Sequence, residues 1–284
     1  MTDFRLCAFA DEASASLDGQ IEALRRNGIK LIEIRNIDGR SVLNMSDEEL
    51  LAAKKKLDAA GISVWSIGSS VGKTKLSERA EHERRFGRAL AVAGIFETKN
   101  VRMFSFFVDD EEEEERRDAI IAELERMTEF AAAQGVRLCH ENEKGIYGST
   151  AARTLELLEK VPNLHGVFDP ANFIQCGEKS GEIFADFAPH TDYMHIKDAL
   201  AVDGTVVPAG EGDGDIAKLL KAYCSKGSGR VLTLEPHLFE FVGLAGLQDE
   251  KLKYKKRYTD AGEAFDAATN SLKKLLNDGG YSYE

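Results

Sequence analysis

Four segments of the chain run from apolar residues into one metal-ligand type: Glu141 in LCHENE, Asp169 in VFDPAN, His195 in YMHIKD and Glu235 in TLEPH. Three carboxylates and an imidazole gathered in one place would raise one another's pKa values unless a cation shared their charge. A divalent ion removes that penalty and uses every group as a ligand. Oxygen-rich ligation with one nitrogen suits Mn²⁺ or Mg²⁺, with Zn²⁺ or Co²⁺ as further candidates. The competing reading of the same residues is a buried salt-bridge network completed by Lys197 and Arg102.

The elements that must position these groups follow from periodicity. Strand-length apolar runs alternate with segments of helical period. FRLCAFA (4–10) precedes a helix with Leu17, Ile21 and Leu24 on one face, and KLIEIR (30–35) precedes a helix from Ser46, with Glu49 three residues on, to a stop at Gly61. SVWSI (63–67) precedes the helix 78–93, and NVRMFSF (100–106) a long helix opened by the glutamates 111–115, which suit a helix N-terminus. In the second half VRLCHE, HGVFD, DYMHIK and RVLTLE each precede a further helical segment: 150–160, 182–187, 215–226 and one within 259–276. Eight strand–helix pairs without a linker favour a single domain, residues 1–284, closed as a (β/α)8 TIM barrel. Strand count alone leaves an open doubly wound sheet as the competitor. In a barrel, the C-terminal ends of strands five to eight would deliver the four ligands to one mouth.

Composition narrows the partners. A formal charge of -12 argues against a non-specific nucleic-acid binder, which needs basic surface to neutralise phosphates. Acidic residues near the N-terminus do not suit a signal peptide, and no apolar run has the length of a membrane span. The four cysteines are far apart, with none in a CxxC, which suits a reducing cytosol and a cytoplasmic protein.

The strand-end motifs HENE, FDPANF, HIKD with the later PAGEGDGD, and LEPH resemble the xylose isomerase-like TIM-barrel superfamily of sugar phosphate isomerases and epimerases, over essentially the whole chain. The resemblance implies that Glu141, Asp169, His195 and Glu235 bind one divalent metal. It also implies that Glu141 and Glu235 act as acid and base on opposite faces of a sugar or sugar-derivative substrate, phosphorylated or not, through a metal-stabilised enediolate. Several of these epimerases carry histidine at the place of Asn172 and an arginine a few residues after the histidine ligand. Here His195 is followed by Lys197, Asp198 and Ala199, so the substrate is expected to be oriented differently, with Asn172 among its contacts. Alternatives on the same barrel are a keto-sugar or keto-inositol dehydratase or lyase, an abasic-site endonuclease-like hydrolase, and a non-catalytic sugar-binding subunit. A homo-oligomer is compatible with all of them.

Other residues carry weaker signals. Lys197 shares the side of His195 by the two-residue period of a strand and could hold a substrate oxygen. Glu211 lies in the glycine-rich loop and is expected at the mouth. Glu33, between Ile32 and Ile34, suits either a pocket contact or a salt-bridged barrel layer. His237 reads as a group supporting the metal ligands or as a strand cap, and Lys73 in GSSVGKT as a turn whose lysine contacts substrate. His140, next to a ligand, should point to the opposite face. Trp65 and Phe106 suit barrel or mouth packing, and the long connection 238–256 a lid or subunit contact.

Overall fold

The computed structural model describes residues 2–241 and 257–284. Eight parallel strands close into a barrel: β1 (Phe4–Ala8), β2 (Leu31–Ile34), β3 (Ser63–Gly68), β4 (Asn100–Met103), β5 (Arg137–Glu141), β6 (Leu164–Phe168), β7 (Thr191–Ile196) and β8 (Arg230–Leu234). Each neighbours the next in sequence, and β8 pairs with β1 over Phe4 to Ala8, which excludes the open sheet. The helices are α1 (Leu17–Arg26), α2 (Asp47–Ala59), α3 (Arg79–Ile95), α4 (Glu113–Ala132), α5 (Ala151–Lys160), α6 (Pro170–Gln175), α7 (Ser180–Phe187), α8 (Ile216–Cys224) and α9 (Ala261–Asp278).

Local chemistry sets the boundaries. Ser46 caps α2 by accepting from the Glu49 N–H, and the Glu49 carboxylate returns to the Ser46 N–H, a complete capping box. The glutamate run divides, with 110–112 forming a 3-10 turn and Glu113–Glu115 the first turn of α4. Two features have no counterpart in the periodicity reading. One is the short α6, begun by Asp169 as N-cap and Pro170 in the first turn. The other is a pair of two-residue hairpins, Asn36–Ile37 with Arg40–Ser41 and Asp198–Ala199 with Val206–Val207.

The strand period of two sorts side chains between the helix-facing shell and the barrel interior. Ile32, Ile34, Leu138 and Met194 belong to the shell and join the main core. Cys7, Leu31, Cys139, Val167, Tyr193 and Val231 pack as a separate apolar layer, edged by Trp65 against Tyr193. Toward the C-terminal strand ends the interior turns polar, with Glu33, Arg102, Glu141 and His195, then Arg35, Asp169, Lys197 and Glu235, all buried. An apolar barrel floor under a charged ceiling is the expected layout of a site at the C-terminal face. Phe106 packs on His82 of α3, at 4.9 Å between ring centroids, and so belongs to the outer shell.

Candidate metal centre and active site

Glu141 ends β5, Asp169 follows β6, His195 lies near the end of β7 and Glu235 follows β8. One ligand atom from each of the four lies within 4.8 Å of every other. Nδ1 of His195 is the hub, 3.0 Å from Glu141 Oε1, 3.4 Å from Glu235 Oε2 and 3.9 Å from Asp169 Oδ2. Across the ring, Nε2 of His195 lies 3.2 Å from Glu33 Oε2, whose other oxygen accepts from the Tyr193 hydroxyl at 2.8 Å. A carboxylate behind Nε2 fixes the proton there and turns Nδ1 toward the ligand set. Glu33 therefore orients His195 from within the barrel, completely buried. Glu33 thus lies in a buried layer of the barrel interior, one of the two positions expected of it.

Each carboxylate is further held from outside the ligand set. Arg102 donates to Glu141 Oε2 at 2.9 Å, and Arg35 to Glu235 Oε1 at 3.1 Å. Lys197 Nζ lies 3.0 Å from Asp169 Oδ2 and 3.1 Å from Glu235 Oε2. Asn172 donates to Glu141 Oε1 at 3.2 Å, while its backbone N–H donates to Asp169 Oδ1 at 2.9 Å. Asn142 bonds the Asp169 backbone at both its N–H and its C=O, each at 2.9 Å, and so locks the two strand ends together. Salt bridges and ligand geometry thus coexist: the cations of the competing network are in place, and so are the four converging donors.

A second tier surrounds Arg35. Its guanidinium bonds Asp11 at 2.9 and 3.0 Å and Glu12 at 3.2 Å, and it lies over the rings of Phe9 and Phe241. His237, in left-handed backbone at φ 49°, donates its N–H to Glu12 Oε2 at 2.6 Å and stacks on Phe241. Its Nε2 is 3.7 Å from Glu235 Oε1. Asp11, Glu12 and Arg35 are members of the site that the sequence reading did not single out. Arg35 stands two residues after Glu33, the same signal that marks Lys197 after His195.

Electrostatics separates the ligands. Burial pushes Glu141 and Glu235 up, but His195 and Arg102 for the first, and Lys197 and His237 for the second, outweigh it and hold both below the carboxylate range. Burial raises Asp169 despite the pull of Lys197, and it raises Glu12 despite Arg35. Burial lowers His195, yet Glu141 and Glu33 prevail and lift it. The buried acids Asp11, Glu12, Glu33, Glu141, Asp169 and Glu235 outnumber the permanent cations Arg35, Arg102 and Lys197. Oδ2 of Asp169 is buried with an ammonium nearby and without hydrogen-bond geometry to it. A surplus of buried carboxyl groups, two of which burial drives toward the neutral form, and an acceptor without a hydrogen fit a divalent cation held by Glu141, Asp169, His195 and Glu235.

Other expected positions fall elsewhere. Glu211 is an exposed side chain paired with Arg257 at 2.5 Å, outside the cluster. The loop carries it outward because Asp198 gathers the N–H groups of Gly210, Gly212 and Gly214 at 2.8 to 3.1 Å, which leaves the intervening side chains toward solvent. Lys73 sits in a turn beside Gly72 (φ 87°), whose missing Cβ would lie 2.0 Å from the Phe104 carbonyl oxygen. It pairs with Glu143 at 3.1 Å, so it borders the site through the loop after β5. His140 is buried on the shell side, near Gly148. Most of the 238–256 connection lies outside the described residues. Its first part contributes buried Leu238 and the Phe241 ring.

A family model for the xylose isomerase-like TIM barrel matches residues 21–258. The chain belongs to that family. Solved structures share the barrel at low identity. The IOLI protein with a bound zinc atom is 18% identical, with TM-score 0.75, covering 96% of this chain and 98% of that one. A D-psicose 3-epimerase studied with D-fructose is 17% identical, with TM-score 0.74 and coverages of 97% and 99%. The probable 3-DHS dehydratase AsbF from Bacillus anthracis is 16% identical, with TM-score 0.71 and coverages of 96% and 99%. No curated protein matches the chain. Among xylose isomerase-like barrels, then, neighbours of this chain include an epimerase and a dehydratase, and at these identities the likeness establishes the fold alone. No helix of the described residues is long and apolar enough to cross a membrane.

Proposed function

We propose that this xylose isomerase-like barrel is a divalent-metal-dependent isomerase or epimerase of a sugar or sugar derivative, with Glu141 and Glu235 as proton-transfer groups. The observation that carries the reading is the convergence of four strand-end ligand atoms on His195 Nδ1, with two carboxylates flanking it. Mn²⁺ or Mg²⁺ suits the oxygen-rich set. When bound, such an ion polarises carbonyl and hydroxyl oxygens and stabilises the charge that builds as a neighbouring C–H is deprotonated.

The residues supply the rest. Arg102 and Arg35 hold Glu141 and Glu235 ionised, so each can accept a proton at an oxygen lone pair that the guanidinium does not use. For inversion the opposite carboxylate first takes a proton from a substrate hydroxyl or water and delivers that proton to the other face of the carbon, while return of the abstracted proton at the adjacent carbon isomerises the sugar. Asn172 keeps Glu141 in its rotamer, and burial of the cluster excludes water that would quench the carbanion. The proposed setting is cytoplasmic, with a small-molecule substrate and no nucleic-acid or membrane partner.

One feature favours a second reading, a dehydratase. The Lys197 ammonium, beside Asp169 and Glu235, is a proton donor suited to a departing hydroxyl. Both readings are tested by incubating keto-sugars and keto-inositols with the Mn²⁺-supplemented protein in D₂O. Deuterium incorporation without loss of water supports the isomerase or epimerase, and loss of water supports the dehydratase. Glu141→Gln and Glu235→Gln should each lower exchange by about 100-fold or more. Retained exchange in both variants would sink the two-carboxylate mechanism.

A further inference from the structure

Lys197 stands where two of the ligand carboxylates meet. Its Nζ is 3.0 Å from Asp169 Oδ2 and 3.1 Å from Glu235 Oε2, the same oxygens that face Nδ1 of His195. Arg102 and Arg35 engage Glu141 and Glu235 through their other oxygens, Oε2 and Oε1, and leave the ligand atoms clear. Lys197 engages the ligand atoms themselves. With Asp169 its contact is purely ionic, since Oδ2 receives no well-directed hydrogen from it. The lysine is buried on the strand extension two residues after His195, with its ammonium held within this cluster.

We propose that Lys197 is a resident counter-cation of the metal-free site, which a divalent ion must displace from Asp169 Oδ2 and Glu235 Oε2 in order to bind. The inference rests on the metal-centre reading above and adds a competitor to it. A positive charge held against the ligand atoms relieves carboxylate repulsion in the metal-free protein, and the same charge opposes an incoming cation. The four ligands therefore bind metal more weakly than their number alone would dictate. Once displaced, the ammonium keeps its three donors inside the mouth, where a substrate oxygen can accept them.

Lys197→Met removes the charge and keeps an unbranched stem. Two readouts independent of catalysis apply, the melting temperature in EDTA and calorimetric titration with Mn²⁺. The variant is expected to melt several degrees lower in EDTA and to bind Mn²⁺ about tenfold or more tightly than the wild type. Unchanged melting in EDTA, or equal or weaker Mn²⁺ binding, overturns the proposal. If neither protein binds Mn²⁺, Mg²⁺, Zn²⁺ or Co²⁺, the metal-centre reading itself falls and Lys197 is a salt-bridge partner only. A variant that folds with Mn²⁺ but not in EDTA shows the expected behaviour in its extreme form. Should it fold in neither, Lys197→Arg carries the test: its larger fixed cation should weaken Mn²⁺ binding about tenfold, and wild-type affinity would overturn the proposal.

Discussion

Glu33 and His195 meet inside the barrel, 3.2 Å apart, from strands β2 and β7, which are not neighbours in the sheet. The carboxylate behind the ring determines which nitrogen of His195 is left for a cation. Glu33→Gln should therefore weaken Mn²⁺ binding by about 10- to 100-fold without touching a ligand. Tyr193→Phe, which removes only the hydroxyl bonded to Glu33, should have a smaller effect in the same direction. Metal titration of the two variants ranks them, and equal affinity in all three proteins would count against the orienting role.

Metal should stabilise the fold as well as the reaction. At a free concentration 100 times its Kd, an ion that binds only the native state adds about 2.7 kcal/mol. Chemical denaturation with Mn²⁺ and with EDTA measures that increment. In Asp169→Asn it should shrink, although the α6 cap survives because an asparagine oxygen can still accept from the Asn172 N–H. An undiminished increment would remove Asp169 from the ligand set.

Asp198 organises the loop that sequence reading expected to bring Glu211 to the mouth. Asp198→Ala leaves the N–H groups of Gly210, Gly212 and Gly214 without their charged acceptor and should cost about 2 to 4 kcal/mol in urea unfolding. Gly212→Ala should perturb the same loop, since its Cβ would lie 2.3 Å from Asp198 Oδ1 and 2.6 Å from the Ala199 carbonyl oxygen. Hydrogen exchange at residues 210–214 localises both effects. Glu211→Gln, by contrast, should leave substrate turnover within twofold of wild type, an expectation checked by steady-state rates.

Acid stability should respond to His82, a buried residue of α3. Burial against Phe106 and Met127 pushes its pKa below the ordinary 6.5, against the pull of Glu123 and Glu83. The unfolded chain then binds the proton more readily than the folded one. Stability is full above pH 6.5 and is lost as pH falls from there toward the depressed folded value. His82→Leu should flatten the melting-temperature profile between about pH 7 and pH 5. A parallel profile in wild type and variant would show that His82 binds its proton equally in the folded and the unfolded chain and would overturn the expectation.

Much of this was legible in the chain because the barrel writes itself as a two-residue period bounded by helix caps. The alternation around Ile32, Glu33 and Ile34 and the Ser46–Glu49 box translate directly into structure. The convergence of Glu141, Asp169, His195 and Glu235 was legible for a related reason, since a charge at the end of an apolar strand has few cheap explanations. What the sequence concealed depends on three-dimensional closure. Asp11 and Glu12 enter the cluster only through the 3-10 turn after β1, and no periodicity signals that Arg35 will reach across to Glu235. The helix α6 was hidden by its length, although the Asp-Pro pair that begins it is a capping signal. The pairing of Glu211 with Arg257 was hidden because the loop's direction is set by backbone N–H groups converging on Asp198, a long-range effect that spacing does not encode.

The near-complete burial of Glu141, Asp169, His195 and Glu235 has a kinetic consequence. Among the described residues each of these four side chains is covered, so loading and stripping of an ion are expected to follow local breathing of the barrel mouth. A chelator in large excess should then remove the ion at a rate independent of chelator concentration, and that plateau would report the opening frequency of the fold. Affinity and exchange become separate properties of one centre, the first written by its ligands and the second by the packing that buries them.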